Sequence, residues 1–168
     1  MRRLSSTHYR TIGISLALVV LTLFGLASPA SAGDQVPFSS STTIVVTSVT
    51  RLPGGLTQYE ANFSGDATYL GDIRGTGTRL QDKQGNFSTT GCLVGANQKD
   101  SVCFASNGRV EGSQGSCIAT FTGSYTVTGG TGAFATATGS GTVMGQADFC
   151  TGASSVTQTG TISQPNSG

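Results

Sequence analysis

The chain has 168 residues, the length of one domain, and only 10% of them are charged, against roughly 25% in an ordinary soluble protein. Glycine is in excess at 25 residues, Trp is absent and only four prolines occur. That composition argues against a helical bundle, a coiled coil or a basic nucleic-acid binder.

The first 32 residues read differently from the rest. Arg2, Arg3 and Arg10 give a positive start, residues 12–26 are apolar, and Ser28-Pro29-Ala30-Ser31-Ala32 ends in the small-x-small pattern of a signal-peptidase site. Residues 1–32 are therefore expected to be a secretory signal peptide cut after Ala32, placing the mature protein outside the cytoplasm. The apolar run is shorter than the roughly 20 residues of a spanning helix, so no membrane anchor is expected after processing. Residues 33–168 carry six basic side chains (Arg51, Arg74, Arg79, Lys83, Lys99, Arg109) against eight acidic ones, a formal charge of −2. No basic face remains for nucleic acid or an anionic membrane. The only histidine, His8, leaves with the signal. Triads that use imidazole and zinc sites that use it are therefore absent from the mature chain, and no catalytic residue, metal or cofactor is assigned.

Residues 33–41 are small and polar and are read as a flexible N-terminal segment; 164–168 are read as a loose C-terminal tail. Between them, residues 42–163 form a string of short strands. The clearest is Gln58-Tyr59-Glu60-Ala61-Asn62-Phe63-Ser64-Gly65, apolar or small at every odd place and polar at every even one. In 117–127, Cys117, Ala119, Phe121, Tyr125 and Val127 again share one face and mostly Thr and Ser the other. Weaker strand patterns cover 43–50, 73–80, 86–94, 101–105, 140–149 and 155–163. Turn residues separate the runs at Pro53-Gly54-Gly55, Asp82 to Asn86, Gly95-Ala96-Asn97, Ser106-Asn107-Gly108 and Thr128 to Gly132. Strands at this spacing, with no helical repeat, predict an all-β fold: a small, antiparallel, closed β-barrel of about eight strands. Glycines between β-branched residues, as in Arg74-Gly75-Thr76-Gly77-Thr78 and Gly139-Ser140-Gly141-Thr142, predict strongly bent strands.

Four cysteines follow the signal: Cys92, Cys103, Cys117 and Cys150. An even number in an exported chain predicts two disulfides, and the spacings contain no C-x-x-C of a zinc or thioredoxin-type motif. All three pairings are open on sequence; Cys92–Cys103 with Cys117–Cys150 is preferred because it closes the shortest loop first.

Tyr59, Phe63, Phe121 and Tyr125 are the candidate ligand-binding residues, against the plainer reading that inward aromatics simply fill a core. Asp66, Asp72 and Asp82 are isolated carboxylates of the kind that loops keep solvated, and carry no assigned role. Gly130-Thr131-Gly132-Ala133-Phe134-Ala135 has the G-x-G-x-x-A form of a dinucleotide-binding turn, but strand and turn residues follow where a helix is required.

The same segment, Val127-Thr128-Gly129-Gly130-Thr131-Gly132-Ala133-Phe134-Ala135-Thr136-Ala137-Thr138-Gly139, resembles the G-G-T-G-x-F-x-x-A-x-G signature of the allene oxide cyclase and dirigent barrels and of exported bacterial proteins that share that barrel. The resemblance implies an eight-stranded antiparallel barrel with an apolar central pocket, often assembled as a homo-oligomer, in proteins that cyclise a fatty-acid epoxide or steer the coupling of phenoxy radicals. Gly129, Gly130 and Gly132 are expected to shape a turn. No segment matches the polar pocket residues of those proteins, so no catalytic role is carried over. The leading expectation is an exported barrel that binds a small apolar molecule; the alternatives are a cyclase- or dirigent-like enzyme or guide, and a disulfide-stabilised surface or matrix protein. Several inward charges would favour the enzyme, and a barrel filled to its axis would favour the matrix protein.

Overall fold

The computed structural model describes residues 34–112 and 116–165. The expected signal peptide, residues 1–32, lies outside the described residues, as do the last three of the C-terminal tail. Eight strands are present: β1 (Gln35–Arg51), β2 (Thr57–Ala67), β3 (Gly71–Gln81), β4 (Asn86–Gly95), β5 (Ser101–Glu111), β6 (Ile118–Thr131), β7 (Gly139–Asp148) and β8 (Ala153–Ser163). Each pairs antiparallel with its sequence neighbours, and β8 returns to β1, closing the barrel. Closure leaves no free sheet edge.

Parity along the strands decides what faces the axis. On β2, Phe63 and Ala67 are buried while Asn62, Ser64 and Asp66 are exposed. On β6, Ala119, Phe121, Tyr125 and Val127 are all buried and the intervening Thr and Ser are exposed. A one-residue slip would turn every one of these aromatics outward, so the expected register of both strands holds.

Two expectations are corrected. Residues 35–41 are not a loose segment: they open β1, pairing from Gln35↔Ser163 along β8, with Phe38 and Ser40 buried. The alternation was obscured because its inward members include Ser40 and Thr42, which carry no hydrophobic signal. Ser106-Asn107-Gly108 is not a turn either but the middle of β5, paired on both sides with β4 and β6. Two full ladders of backbone hydrogen bonds outweigh the local turn preference of Asn-Gly.

Inward glycines make room for the rings. A Cβ on Gly77 would lie 2.5 Å from the Phe63 ring, one on Gly108 2.7 Å from Phe87 and one on Gly145 2.6 Å from Phe121. Each aromatic is thus laid over bare backbone of a neighbouring strand, a use of glycine in tightly coiled sheets. The glycine-rich composition follows from this packing.

At one end of the barrel, the segments after β2 and β6 cover the axis. Leu70 and Phe134 fold over it, and with Phe38, Ile73, Val102 and Ile162 they form a dense cluster in which Phe134 is 2% and Ile162 0% exposed. Of the glycines expected to shape a turn, Gly132 does so, with φ of 59°, which side chains resist. Gly129 and Gly130 instead lie within β6, paired with Cys103 and Val102 beyond a bulge, because β5 offers them a ladder; there Gly129 takes φ of 126° and Gly130 sits against the Ser101 carbonyl with no space for a Cβ. Asp100 locks the turn by accepting the Ala133 N–H at 2.8 Å.

Both disulfides form with the preferred pairing, Cys92–Cys103 and Cys117–Cys150. The first joins directly opposed residues on the outer face of β4 and β5. The second ties the start of β6 to the β7–β8 turn, where the Phe149 N–H also donates to the Cys117 carbonyl at 2.8 Å.

Candidate functional site

The described residues leave the opposite end of the barrel unfilled. An interior cavity of about 110 Å³ runs down from the mouth, with Tyr59, Phe63, Phe87, Phe121, Val143 and Val156 among its walls and Phe149 at its rim. Phe87 and Phe121 meet edge to face, with ring centroids 5.9 Å apart. The cavity arises where strand parity points aromatics inward and none of the described turn residues folds over them.

One register row crosses this cavity. Tyr59 on β2 opposes Arg79 on β3, Arg79 opposes Thr89 on β4, Thr89 opposes Ser106 on β5, and Ser106 opposes Tyr125 on β6. Five polar side chains on consecutive strands therefore share one row of the inner wall, to which β1 and β8 add Thr42, Ser154 and Gln158. Thr89, Ser106, Tyr59 and Arg79 all line the cavity. Elsewhere on the inner wall, Ser40 donates to Gln158 Oε1 at 2.9 Å.

Arg79 is the unusual member. Its guanidinium lies 4.1 Å from the Phe87 ring centroid and 5.5 Å from that of Phe121, a cation–π arrangement. Nε and Nη2 are buried without a hydrogen-bond partner, and no ion pair to Arg79 is present among the described residues. Desolvation pulls its pKa down to about 10, so it stays cationic at neutral pH. Each unpartnered buried donor costs roughly 1–3 kcal/mol, more on a charged group. The wall thus holds a charge that the fold itself does not use.

Of the four predicted ligand-binding residues, Tyr59, Phe63 and Phe121 line the cavity. Tyr125 does not: it is 2% exposed and packs edge-on against Phe38, within the cluster at the covered end. Its hydroxyl is buried without a partner, and burial raises its pKa. Sequence reasoning missed Arg79, Thr89 and Ser106. The signal for Arg79 was its odd position in phase with Ile73, Gly75 and Gly77, outweighed by the habit of placing arginine on the surface. Ser106 was hidden by its assignment to a turn.

The carboxylates serve the loops. Asp82 Oδ1 accepts the N–H groups of Gln84 at 2.9 Å and Asn86 at 2.8 Å, and its pKa is lowered chiefly by the Asn86 side chain. Asp66 and Asp72 oppose one another across β2 and β3 and are exposed. Asp148, at the cavity rim, accepts the backbone N–H of Cys150 at 2.9 Å and of Thr151 at 3.2 Å. Cys117, Asp148 and Cys150 present ligand atoms within 4.8 Å of one another, but both sulfurs are spent in the disulfide and leave no thiolate to hold a metal.

No family model and no curated protein sequence matches the chain. Among solved structures, the chain is similar to the pterocarpan synthase dirigent protein GePTS1, with a TM-score of 0.49 and 13% identity over 96% of this chain and 100% of that one. No residue of this chain takes a role from that likeness.

Proposed function

We propose that the chain is an exported small-molecule-binding barrel that takes an apolar ligand into its open end. The observation that carries this reading is the asymmetry of the axis: one end is covered by Leu70 and Phe134, while the other keeps a cavity between Phe63, Phe87 and Phe121. A protein whose whole purpose was a robust polar surface would gain stability by filling that space, since unfilled apolar volume costs roughly 24 cal/mol per Å³. Convergent polar groups within an aromatic-lined hollow are the usual makeup of a ligand site.

A guiding role of the dirigent kind is the second reading. It is favoured by the row Tyr59, Arg79, Thr89 and Ser106, which would orient a bound ring relative to the mouth. Titration with an environment-sensitive apolar dye, followed by mass spectrometry of molecules extracted from protein purified without denaturation, tests binding. A saturable site of one dye per chain, lost on replacing Phe121 with a bulky Trp, is the expected result. Dye binding that is unsaturable, or indifferent to that replacement, would refute the proposal.

A further inference from the structure

The polar row in the cavity defines the chemistry of what the cavity holds. We propose that the ligand is a one-ring aromatic monocarboxylate, its ring between the phenylalanines and its carboxylate on the Arg79 guanidinium. The inference rests on the cavity being a ligand site and goes beyond it by naming the ligand's charge, size and orientation.

Three observations carry it. The first is Arg79 itself, a cation with two buried, unpartnered nitrogens inside a barrel. No acidic side chain among the described residues pairs with it: Asp66 and Asp72 are exposed on the outer face, Glu60 on the outer face accepts from Gln58 at 2.7 Å and Thr78 at 2.8 Å, and Asp148 at the rim caps its own turn. The missing counter-charge is therefore a property of the site, and a planar carboxylate matches the planar fork of a guanidinium in a way that a neutral group does not.

The second is the support beneath the guanidinium. Stacking on Phe87 at 4.1 Å fixes its plane, and Tyr59 and Thr89 flank it as direct cross-strand neighbours. Their hydroxyls can donate beside the carboxylate position, so that along this row an anion would meet donors, while the Asp148 carboxylate at the rim is turned to its own backbone N–H groups.

The third is volume. About 110 Å³ is available, somewhat below the roughly 150 Å³ of an engineered apolar cavity that accepts benzene. That space encloses no more than one ring, and Arg79, two residues from the end of β3 at the open mouth, would hold the carboxylate where the cavity meets solvent; a long acyl chain would leave most of its length in water beyond the rim at Phe149. The walls agree, because the edge-to-face pair Phe87 and Phe121 offers a ring both a face and an edge.

Isothermal titration of the purified mature chain, residues 33–168, with benzoate, benzamide and laurate tests this. Benzoate should bind at least about 10-fold more tightly than its neutral isostere benzamide, the discrimination expected of a charge-assisted pair, and more tightly than laurate. Arg79→Met should remove that preference, lowering benzoate affinity by about 10-fold or more while leaving benzamide within about 2-fold. Arg79→Lys, which keeps charge but not the planar fork, should fall between and provides a folded comparison if the Met variant does not express. Benzoate binding should also fade below about pH 4, as the acid protonates. Equal binding of benzoate and benzamide, or an Arg79→Met variant with unchanged benzoate affinity, would overturn the carboxylate assignment while the cavity remains a ligand site. Laurate binding best would overturn the one-ring size. If none of the three binds and the apolar dye also fails, both the carboxylate and the cavity reading fall together.

Discussion

Removing Arg79 should stabilise the protein. Its pKa falls from the ordinary arginine value to about 10 through desolvation, which corresponds to a charge penalty of about 3 kcal/mol in the empty barrel. Set against this is the cation–π contact with Phe87 and Phe121, worth about 1–2 kcal/mol for a partly desolvated pair. Methionine has a similar reach, needs no hydrogen bonds and makes its own favourable contacts with aromatic rings. Arg79→Met should therefore gain about 1–2 kcal/mol, or roughly 3–8 °C in melting temperature for a domain of this size. The assay is paired urea and thermal unfolding of the two proteins without ligand, with far-ultraviolet circular dichroism confirming an unchanged barrel. A stabilised variant that no longer prefers an anion is the signature of a residue kept for binding at a cost in stability. Should Arg79→Met melt below the parent, the guanidinium is holding the wall together, and its two unpartnered nitrogens are then no guide to a ligand.

The two ends of the barrel should respond differently to truncation: Phe134→Ala, in the covered end, should cost about 3–5 kcal/mol, whereas Phe121→Ala, which borders the cavity, should cost about 2–3 kcal/mol; equal losses in urea unfolding would show that the cavity wall is packed as tightly as the covered end. Gly132→Val forces a branched side chain to φ 59° against the Asp100 carboxylate and should lower stability by at least about 2 kcal/mol while any folded fraction keeps wild-type ligand affinity; an unchanged melting temperature with lost affinity would make the turn a binding element. Asp100, Asp148 and Asp82 all have lowered pKa values, the first chiefly through the Ala133 N–H, the second through the Thr151 N–H and the third through the Asn86 side chain. Because their folded values lie below the unfolded ones, their stabilisation is complete above roughly pH 4 and is lost as pH falls through the folded values. The urea midpoint should accordingly hold from pH 7 to 5 and then drop, less steeply in Asp100→Asn; a midpoint that rises on acidification would contradict this.

The fold was written into the chain by periodicity. Alternation along 58–65 and 117–127 set the inward faces, turn residues at Pro53 to Gly55 and Asp82 to Asn86 set hairpin ends, and Gly132 marked the turn that follows β6, whereas the glycines before it proved to be strand. These signals are local, so they survive without knowledge of neighbours. Cysteine count and position likewise foreshadowed both disulfides, because a short loop closes most readily.

What the sequence could not decide depends on strands distant from one another in the chain. That residues 35–41 belong to β1 follows from their partner, β8, more than a hundred residues away. Asn-Gly at 107–108 became strand because β4 and β6 flank it, against its own turn preference. The site itself is entirely of this kind. Tyr59, Arg79, Thr89 and Ser106 meet only when four strands align in one register, and whether an inward aromatic fills a core or walls a cavity depends on which turns fold over the axis. Phe134 closes one end and no described side chain closes the other, so Tyr125 became core while Phe121, four residues earlier on the same face of the same strand, became cavity wall.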